Sequence, residues 1–444
     1  MILFLVSGIV LFNGCKEEEE PVFTLISLMT DGGLDLAGAT TATDVPEDAL
    51  IIAVFSSNVD ETTATETNFM ITRADDSEMA DYSIDVSGAT VTITPTTGWN
   101  GGTQYSLELS AGITGTNGVA FEGNTLTYRT SGIFVPQVDH QTLFLSFDDG
   151  TATDETGNHT VTTVGTFQST DDRRNTANAS AYFDGSGNIV EVAAAADLIP
   201  AAATISYWLK TSLADYDGAD ASGLPQTRFV MGLSAELGYF LEMGRRSKDH
   251  TADGYSEIFL KYATDHVNIG NNAASVPKAT AWWEVNGQAS VGYEAGVSSG
   301  WSYVLPALQQ DPPRTYIANK VDNNWIHLVM TNDPVAQVKT LYINGEKTIE
   351  WTWISSGADW LFTDLSLKDK DNTGADWPNV VDGVLAIGNA CSSSNTQTGW
   401  CNYETLSSNP AESKKFFKGA IDQFRIFDVA LTATEVATLY DNEK

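Results

Sequence analysis

Large aromatic residues are concentrated in two stretches of the chain, about 264–320 and 351–382. These stretches hold seven of the eleven tryptophans, so the framework carries few of them. An indole ring packs well against the C–H face of a sugar ring, and long loops at one end of a scaffold commonly carry binding sites. The alternative interpretation is that each tryptophan fills a small core of its own loop. The candidate ligand-binding residues are Trp282, Trp283, Trp301, Tyr303, Trp351, Trp353, Trp360 and Trp377.

Acidic residues do not form a recognisable catalytic pattern. Retaining glycoside hydrolysis needs two carboxyl groups about 5–5.5 Å apart, so a strand with closely spaced carboxylates is expected. Asp422 stands alone in GAIDQFRIF, and Glu350 is the single carboxylate of EWTW. No Ser-His-Asp motif, nucleophile elbow or metalloprotease helix is visible in the sequence. We therefore predict that the chain is not an enzyme.

The N-terminus predicts export and lipidation. Residues 1–14, MILFLVSGIVLFNG, form an apolar run that is shorter than the roughly 20 residues of a membrane span and is typical of a signal peptide. The run ends in FNGC, which resembles a lipobox and implies lipidation at Cys15. The following KEEEE makes 15–21 an acidic tether and resembles the export signal of surface lipoproteins of Bacteroidetes. The expected location is the outer membrane, lipid-anchored and facing the cell exterior.

The two remaining cysteines are Cys391 and Cys401, which frame a short polar segment. Outside the cytoplasm, an even pair at this spacing predicts a disulfide that closes a surface loop. A zinc site is the weaker alternative, because the chain has five histidines and none lies near this pair.

The charge balance narrows the range of partners. The chain has 23 basic and 58 acidic residues, a formal net charge of −35. Such a surface repels the phosphates of nucleic acids and anionic lipid head groups. We therefore expect no nucleic-acid partner, and any membrane attachment should be through the lipid anchor.

Residues 22–134 are predicted to form one β-sandwich domain. Short apolar–polar alternations, such as IIAVF at 51–55, are separated by turns at spacings typical of a sandwich. The stretches VPEDALIIAVFSSNVD, VTITPTTGWNGGTQYSLELSAGI and GNTLTYRTSG resemble the bacterial Ig-like domain. This resemblance implies a spacer that lifts the next domain from the membrane. Trp99 is expected to cap the edge of the core, and a platform for a ligand is the alternative interpretation.

Residues 138–444 are predicted to form a second domain with long loop insertions. LYINGE contains Asn344 and Gly345, which indicate a type I′ hairpin. LTATEVATLY predicts a helix with Thr432 as N-cap and Glu435 as its capping-box partner. In order, LFLSFDDG, AYFDGSGNIVEV, ATISYWLK, WIHLVM, LYINGE and GAIDQFRIF resemble a LamG-like, concanavalin A-like jelly roll. The expected fold class is therefore all-β throughout, an Ig-like sandwich followed by this jelly roll.

The LamG resemblance implies a structural calcium ion. Ca²⁺ takes six to eight oxygen ligands from carboxylates and turn carbonyls. Four aspartates lie in the matching blocks: Asp148, Asp149, Asp184 and Asp422. For the last two, a turn cap or a buried hydrogen-bonded carboxylate is the alternative.

These features support two hypotheses about function. The first is a non-catalytic surface lipoprotein that binds a polysaccharide or oligosaccharide, accessory to an outer-membrane importer of the SusCD kind. The second is a structural subunit of an outer-membrane complex, in which the same aromatic residues contact a protein, since tryptophan and tyrosine dominate protein interfaces.

Overall fold

The computed structural model describes residues 22–38, 40–198, 200–212, 215, 227–232, 240–245, 258–263, 282–286, 323–336, 338–352, 383–389, 392–394 and 416–444. The chain divides into two compact units, with the boundary between Phe134 and Val135. Both are built almost entirely from β-strands, as predicted. Among the residues described, no helix is long and apolar enough to cross a membrane.

Unit 1 is a sandwich of two four-stranded sheets, ordered β1-β3-β6-β5 and β2-β8-β7-β4. All neighbouring strands are antiparallel except β2 and β8, which are parallel. The strands are β1 (Leu25–Thr30), β2 (Ala42–Val45), β3 (Ile51–Phe55), β4 (Phe69–Arg73), β5 (Tyr82–Ser87), β6 (Thr90–Pro95), β7 (Gln104–Leu109) and β8 (Asn124–Thr130), with one 3₁₀ turn at Glu61–Thr63.

The predicted alternation holds in unit 1. In β3 and β4 every second residue is buried, because one face of each sheet meets the other sheet. Trp99 is 2% exposed and packs between Tyr82, Tyr105 and Tyr128. Its Nε1 donates to Ala49 O at 2.8 Å, which satisfies the single polar atom of the indole. Trp99 is therefore a core residue.

Unit 2 contains the remaining strands. They are β9 (Gln141–Leu145), β10 (Val161–Val164), β11 (Gln168–Thr170), β12 (Ser180–Asp184), β13 (Ile189–Val192), β14 (Ala203–Lys210), β15 (Thr227–Gly232), β16 (Phe240–Arg245), β17 (Ile258–Ala263), β18 (Trp282–Asn286), β19 (Ile326–Asp333), β20 (Val338–Ile343), β21 (Glu346–Thr352), β22 (Leu385–Ile387) and β23 (Lys418–Phe427). Among its described residues, unit 2 also contains two 3₁₀ turns, Val138–His140 and Ala196–Leu198, and one α-helix, α1 (Ala433–Glu443).

These strands form two sheets. A seven-stranded sheet has the order β10-β13-β22-β15-β16-β17-β18. An eight-stranded sheet has the order β11-β12-β23-β14-β19-β20-β21, with β9 also paired to β23. All these pairs are antiparallel, and apolar residues from both sheets share one core. Asn344 and Gly345 both have positive φ in the two-residue β20–β21 turn, which confirms the predicted hairpin.

Helix α1 lies on the outer face of the eight-stranded sheet. Val436 and Leu439 of α1, with Leu431 just before it, pack against Val329, Tyr342 and Phe427 of that sheet. At its start, Thr432 Oγ1 accepts from Glu435 N and Glu435 Oε2 accepts from Thr432 N, which confirms the capping box. Since α1 covers one face and the other sheet covers the opposite face, β14 and β23 are buried on both sides.

A β-bulge in β23 decides which polar residues lie beneath α1. Ser206 pairs with Arg425 and Trp208 pairs with Asp422, so β23 has one more residue than β14 between these pairs. Gln423 lies in the bulge with a φ of 49°, in the left-handed region that non-glycine residues rarely adopt. The bulge places Asp422 and Arg425 in outer-face pairs, while Phe424 remains in the core.

Candidate functional site

A group of buried polar residues of unit 2 lies between α1 and the eight-stranded sheet. We call it the clamp cluster. Its members are almost fully buried, and they come from β14, β19, β23, α1 and the loop between β11 and β12. They are Arg173, Ser206, Trp208, His327, Asp422, Arg425 and Glu443.

The carboxylate of Glu443, the last residue of α1, is the centre of the clamp cluster. Trp208 Nε1 donates to its Oε2 at 2.7 Å, and Arg425 Nε donates to its Oε1 at 2.9 Å. Arg425 also donates to Gln141 Oε1 at 2.6 Å and to Gln423 Oε1 at 2.7 Å. Burial alone raises the pKa of a carboxyl, but here the cations and the indole donor outweigh burial and lower the pKa of Glu443. Glu443 is therefore ionised within the cluster.

Arg173 forms the second ion pair and also binds the end of the helix. Its Nη1 donates to Asp422 Oδ2 at 2.5 Å, and its Nε donates to the backbone carbonyl of Glu443. Arg174 Nη2 donates to Asn442 O at 2.6 Å. Cations that bond the last carbonyls of a helix satisfy groups without an intrahelical partner and oppose the negative end of the helix dipole. Two arginines from one loop thus hold the C-terminal end of α1.

Two groups of the clamp cluster have an unpartnered atom. Asp422 Oδ1 and His327 Nδ1 make no hydrogen bond to any described residue. Burial raises the pKa of Asp422 to about 7, against the opposing effect of Arg173. Burial lowers the pKa of His327 to about 4, although Glu443, whose Oε2 lies 3.9 Å from Nε2, acts to raise it. At neutral pH, His327 is therefore uncharged; its Nε2 shares a hydrogen bond with Ser206 Oγ at 2.8 Å.

The clamp cluster consists of side chains that satisfy one another. Trp208 stacks on His327 and on Tyr440 of α1, with ring centroids 5.0 and 5.5 Å apart, and Arg173 lies over the Trp208 ring. Arg425 is paired with the ionised Glu443, and Arg173 is paired with Asp422, whose pKa of about 7 leaves it partly protonated at neutral pH. We therefore interpret the cluster as the structure that fixes α1 on the sheet, rather than as a reaction centre.

The four aspartates predicted to bind calcium have protein partners. Asp149 accepts from Thr151 N and Oγ1, and Asp184 accepts from Ser186 N and Oγ, so both cap turns. Asp422 pairs with Arg173 in the clamp cluster.

Asp148 is the least firmly held of the four. It accepts from Gln423 Nε2 at 3.3 and 3.5 Å, and burial raises its pKa. Within the ranges described, no three acidic, histidine or cysteine residues form a group that fits a metal ion. Calcium binding stays a prediction.

Two of the candidate aromatic residues lie on an edge strand. Trp282 and Trp283 begin β18, the last strand of the seven-stranded sheet, and strand residues alternate between faces. The row of paired residues that contains Trp283 leads through β17 and β16 to Met231, which belongs to the core. The row that contains Trp282 leads through Gly232 and Ala386 to Glu191, which alternates with core residues. Trp282 and Trp283 therefore belong to different rows of the pairing register, and only the row of Trp283 includes a core residue at Met231.

A third candidate, Trp351, lies on β21, the edge strand of the other sheet. Short connections join strands that hold the same position in the two sheet orders: β10 to β11 and β12 to β13. The last strands, β18 and β21, therefore lie at the same side of unit 2. Trp351 is in a row with Ala203, the first residue of β14, and Trp282 is in a row with Glu191, next to the end of β13. Because 193–202 joins β13 to β14, both rows lie at the same end of the strands.

The other sequence predictions at binding or covalent sites fall elsewhere. Outside the described residues lie Cys15, Trp301, Tyr303, Trp353, Trp360, Trp377, Cys391 and Cys401. The clamp cluster, in contrast, was missed by sequence reasoning. A signal was present, since His327 in WIHLVM and Arg425 in FRIF interrupt otherwise apolar strands.

Comparison with known proteins supports the Ig-like part of unit 1. Residues 36–130 match the family described as bacterial Ig-like domain. No curated protein matches the chain.

Several solved structures share a distant likeness. The binding domain of Paraclostridial Mosquitocidal Protein 1 is 15% identical, with a TM-score of 0.38, over 68% of this chain and 52% of that chain. The botulinum neurotoxin serotype D binding domain is 13% identical, with a TM-score of 0.37, over 68% and 52%. Domain 4 of the arabinanase AbnA from Geobacillus stearothermophilus, solved with arabinotriose, is 16% identical, with a TM-score of 0.35, over 68% and 98%. The chain thus spans about half the length of the two toxin structures, and at these scores the likenesses assign no function.

Proposed function

We propose that the chain is a non-catalytic, lipid-anchored surface protein that binds a glycan through unit 2. The observation that supports this proposal is that Trp282, Trp283 and Trp351 lie on the edge strands β18 and β21 of the two sheets. Unit 1 then acts as the spacer, and a structural calcium ion and a Cys391–Cys401 disulfide are further parts of the proposal. An importer of the SusCD kind is the proposed partner.

The ligand position follows from which faces of unit 2 are covered. Helix α1 closes the outer face of the eight-stranded sheet, so that face offers no open platform beneath it. On the seven-stranded sheet, Gly232 and Ala386 in the middle of the Trp282 row are buried. We therefore place the glycan at the β18 end of this row, where Trp282 supplies the aromatic platform.

Affinity electrophoresis of the full chain through gels containing single polysaccharides tests glycan binding. At least one polysaccharide should retard the wild type, and Trp282→Ala should remove most of the retardation while Trp282→Phe keeps part of it. Trp99→Phe, in the core of unit 1, is the matched control and should bind like the wild type. Retardation by no polysaccharide, together with a stoichiometric protein partner in detergent extracts, would replace this proposal by the protein-contact function.

The anchor is tested separately. Expressed with its own N-terminus in a Bacteroidetes host, the chain should partition with outer membranes, and Cys15→Ser should be released into the soluble fraction. Accessibility of the wild type to protease in intact cells tests the outward orientation. A Cys15→Ser variant that stays with the membranes would contradict lipidation at this cysteine.

A further inference from the structure

One side of unit 2 is formed by two end strands without a charged residue. β10 ends the seven-stranded sheet, β11 ends the eight-stranded sheet, and residues 165–167 join them. Residues 160–170, which contain both strands, include no acidic residue, no basic residue and no proline. Thr162 and Thr163, in the middle of β10, are exposed. We call residues 160–170 the neutral edge.

The neutral edge lacks the protection that end strands usually have. Charged side chains on an end strand prevent it from pairing with another molecule. Other end strands of this chain follow that rule: β21 of unit 2 has exposed Glu346 and Lys347, and β5 of unit 1 has exposed Asp85. Two copies of a chain with a formal net charge of −35 repel one another, and a side without charges lowers that repulsion at the contact.

The backbone of β10 has free hydrogen-bonding groups on the side that faces away from β13. Ala193 N donates to Thr160 O at 3.0 Å, in line with the antiparallel register of β10 and β13. Because bonded and unbonded positions alternate along such a pair, the N–H and C=O groups of Val161 and Thr163 point away from β13. Among the described residues, these groups have no backbone partner. The sheet can therefore accept a further strand here.

We propose that two copies of this chain associate through the neutral edge, with β10 of one copy antiparallel to β10 of the other. A two-fold axis at Thr162 places Thr162 opposite Thr162 of the second copy. The same register places Val161 opposite Thr163 of the second copy, so that the outward N–H and C=O groups of both residues are paired. The facing side chains are β-branched and uncharged, which suits pairing across strands.

The second copy fits this edge because the pairing is self-complementary. In a two-fold contact the same residues meet from both sides, and here they supply every outward backbone group with a partner. β10 has four residues, so the contact is weak in dilute solution and must be measured over a range of concentrations. A dimer would carry two copies of any ligand site and would bind a repeating polymer with avidity. The association itself depends neither on glycan binding nor on the lipid anchor.

A cysteine at the two-fold axis tests the register in the full chain. Opposite residues without mutual hydrogen bonds have Cα atoms about 4.5 Å apart in an antiparallel pair, a distance that a disulfide spans. Mild oxidation of Thr162→Cys should therefore give a disulfide-linked dimer on non-reducing gels. Thr166→Cys is the matched control, because Thr166 is exposed on the same edge but far from the axis, and its yield should be about tenfold lower. The wild type gives the background from the native cysteines, and equal yields from both variants would overturn the proposal.

Sedimentation velocity then measures association without a cross-link. The wild type should shift from monomer to dimer as its concentration is raised. Thr163→Pro should stay a monomer, because its N–H points away from β13 and proline on an end strand blocks a further strand. Thr162→Lys should also stay a monomer, because two lysines oppose one another at the axis, whereas the matched control Thr166→Lys should dimerise like the wild type.

Circular dichroism and thermal unfolding establish that each variant is folded. A wild type that is monomeric at every concentration would overturn the proposal, and so would a dimer that persists in folded Thr163→Pro and Thr162→Lys. Retardation by polysaccharides is measured separately, so absence of glycan binding would remove the proposed function without bearing on the dimer.

Discussion

The two units each bury a tryptophan within a cluster of aromatic and polar groups, but they satisfy it differently. In unit 1, Trp99 Nε1 donates to a backbone carbonyl, and its ring contacts three uncharged tyrosines. In unit 2, Trp208 Nε1 donates to the Glu443 carboxylate, and its ring contacts His327 and Arg173. One cluster is neutral, whereas the other holds two buried ion pairs.

The two clusters differ in the partners that they need from the rest of the fold. The neutral cluster needs packing and uncharged backbone partners, such as Ala49 O for Trp99 and Phe69 O for Tyr82, all within unit 1. The clamp cluster needs every charged partner at once, because a buried charge without its partner is far more costly than a lost packing contact. The two clusters should therefore respond differently to substitution and to pH.

The largest expected effect comes from removing one charge of the clamp cluster. Arg425→Met leaves Glu443 buried without its main cation, and we expect the free energy of unfolding of unit 2 to fall by about 3–5 kcal/mol. Urea denaturation of the full chain, followed by circular dichroism, measures this loss.

The double variant Arg425→Met/Glu443→Leu is the control, because it removes both charges. It should recover most of the lost stability, since apolar residues of similar size often replace a buried ion pair without loss. A single variant as stable as the double variant would show that Glu443 does not need Arg425.

The next largest effect is the pH dependence of unit 2. The pKa of His327 falls on folding from 6.5 to about 4. The contribution of His327 to the free energy of unfolding is therefore fully present above about pH 6.5 and is lost as pH falls toward 4. The pKa of Asp422 rises on folding from 3.8 to about 7. The contribution of Asp422 to the free energy of unfolding is therefore greatest below about pH 4 and is lost as pH rises through 7. These differences correspond to about 3 and about 4 kcal/mol, and they oppose one another.

Single variants separate these two contributions. In His327→Gln, the stability of unit 2 should rise as pH is lowered from 7.5 to 4.5, and in Asp422→Asn it should fall. The wild type should change little over this range. The readout is the slope of stability against pH, so a general loss of stability in either variant does not affect it. Equal slopes in the two variants would contradict the assignment of these protons.

The sequence predicted the features that depend on neighbouring residues. The alternation of IIAVF, the Asn344-Gly345 hairpin and the Thr432–Glu435 capping box are all found, because each is determined within a few residues. The clamp cluster was not predicted, because its partners are far apart in the chain. Arg173 and Asp422 are separated by 249 residues.

Alternation also failed as a guide in β23. GAIDQFRIF suggested a lone Asp422 among apolar neighbours, but α1 buries the outer face, and the bulge at Gln423 shifts the pattern by one residue. The Trp-rich stretches led to a predicted ligand site, but the sequence does not give the pairing register of the strands within them. The pairing of β18 with β17 assigns Trp282 and Trp283 to two different rows of paired residues, with Ala263 and with Tyr262.

The neutral cluster of unit 1 should show a smaller effect without a dependence on pH. Trp99→Phe keeps an aromatic ring but removes the hydrogen bond to Ala49 O and leaves a small cavity, so we expect a loss of about 2 kcal/mol. Urea denaturation at pH 4.5 and 7.5 should give the same loss at both values. A loss confined to one pH would mean that the tyrosines around Trp99 are coupled to an ionised group.

The smallest expected effect tests whether α1 depends on its start as well as on the clamp cluster at its end. Thr432→Ala removes the side-chain acceptor for Glu435 N, and loss of such a cap costs about 1 kcal/mol. Thr432→Ser keeps the hydroxyl and should retain most of that stability. Because the cap and the clamp cluster lie at opposite ends of an 11-residue helix, the losses from Thr432→Ala and Arg425→Met should add. Losses that do not add would mean that α1 leaves the sheet as one body when either end is released, and that the charged cluster stabilises the whole helix rather than its last turn.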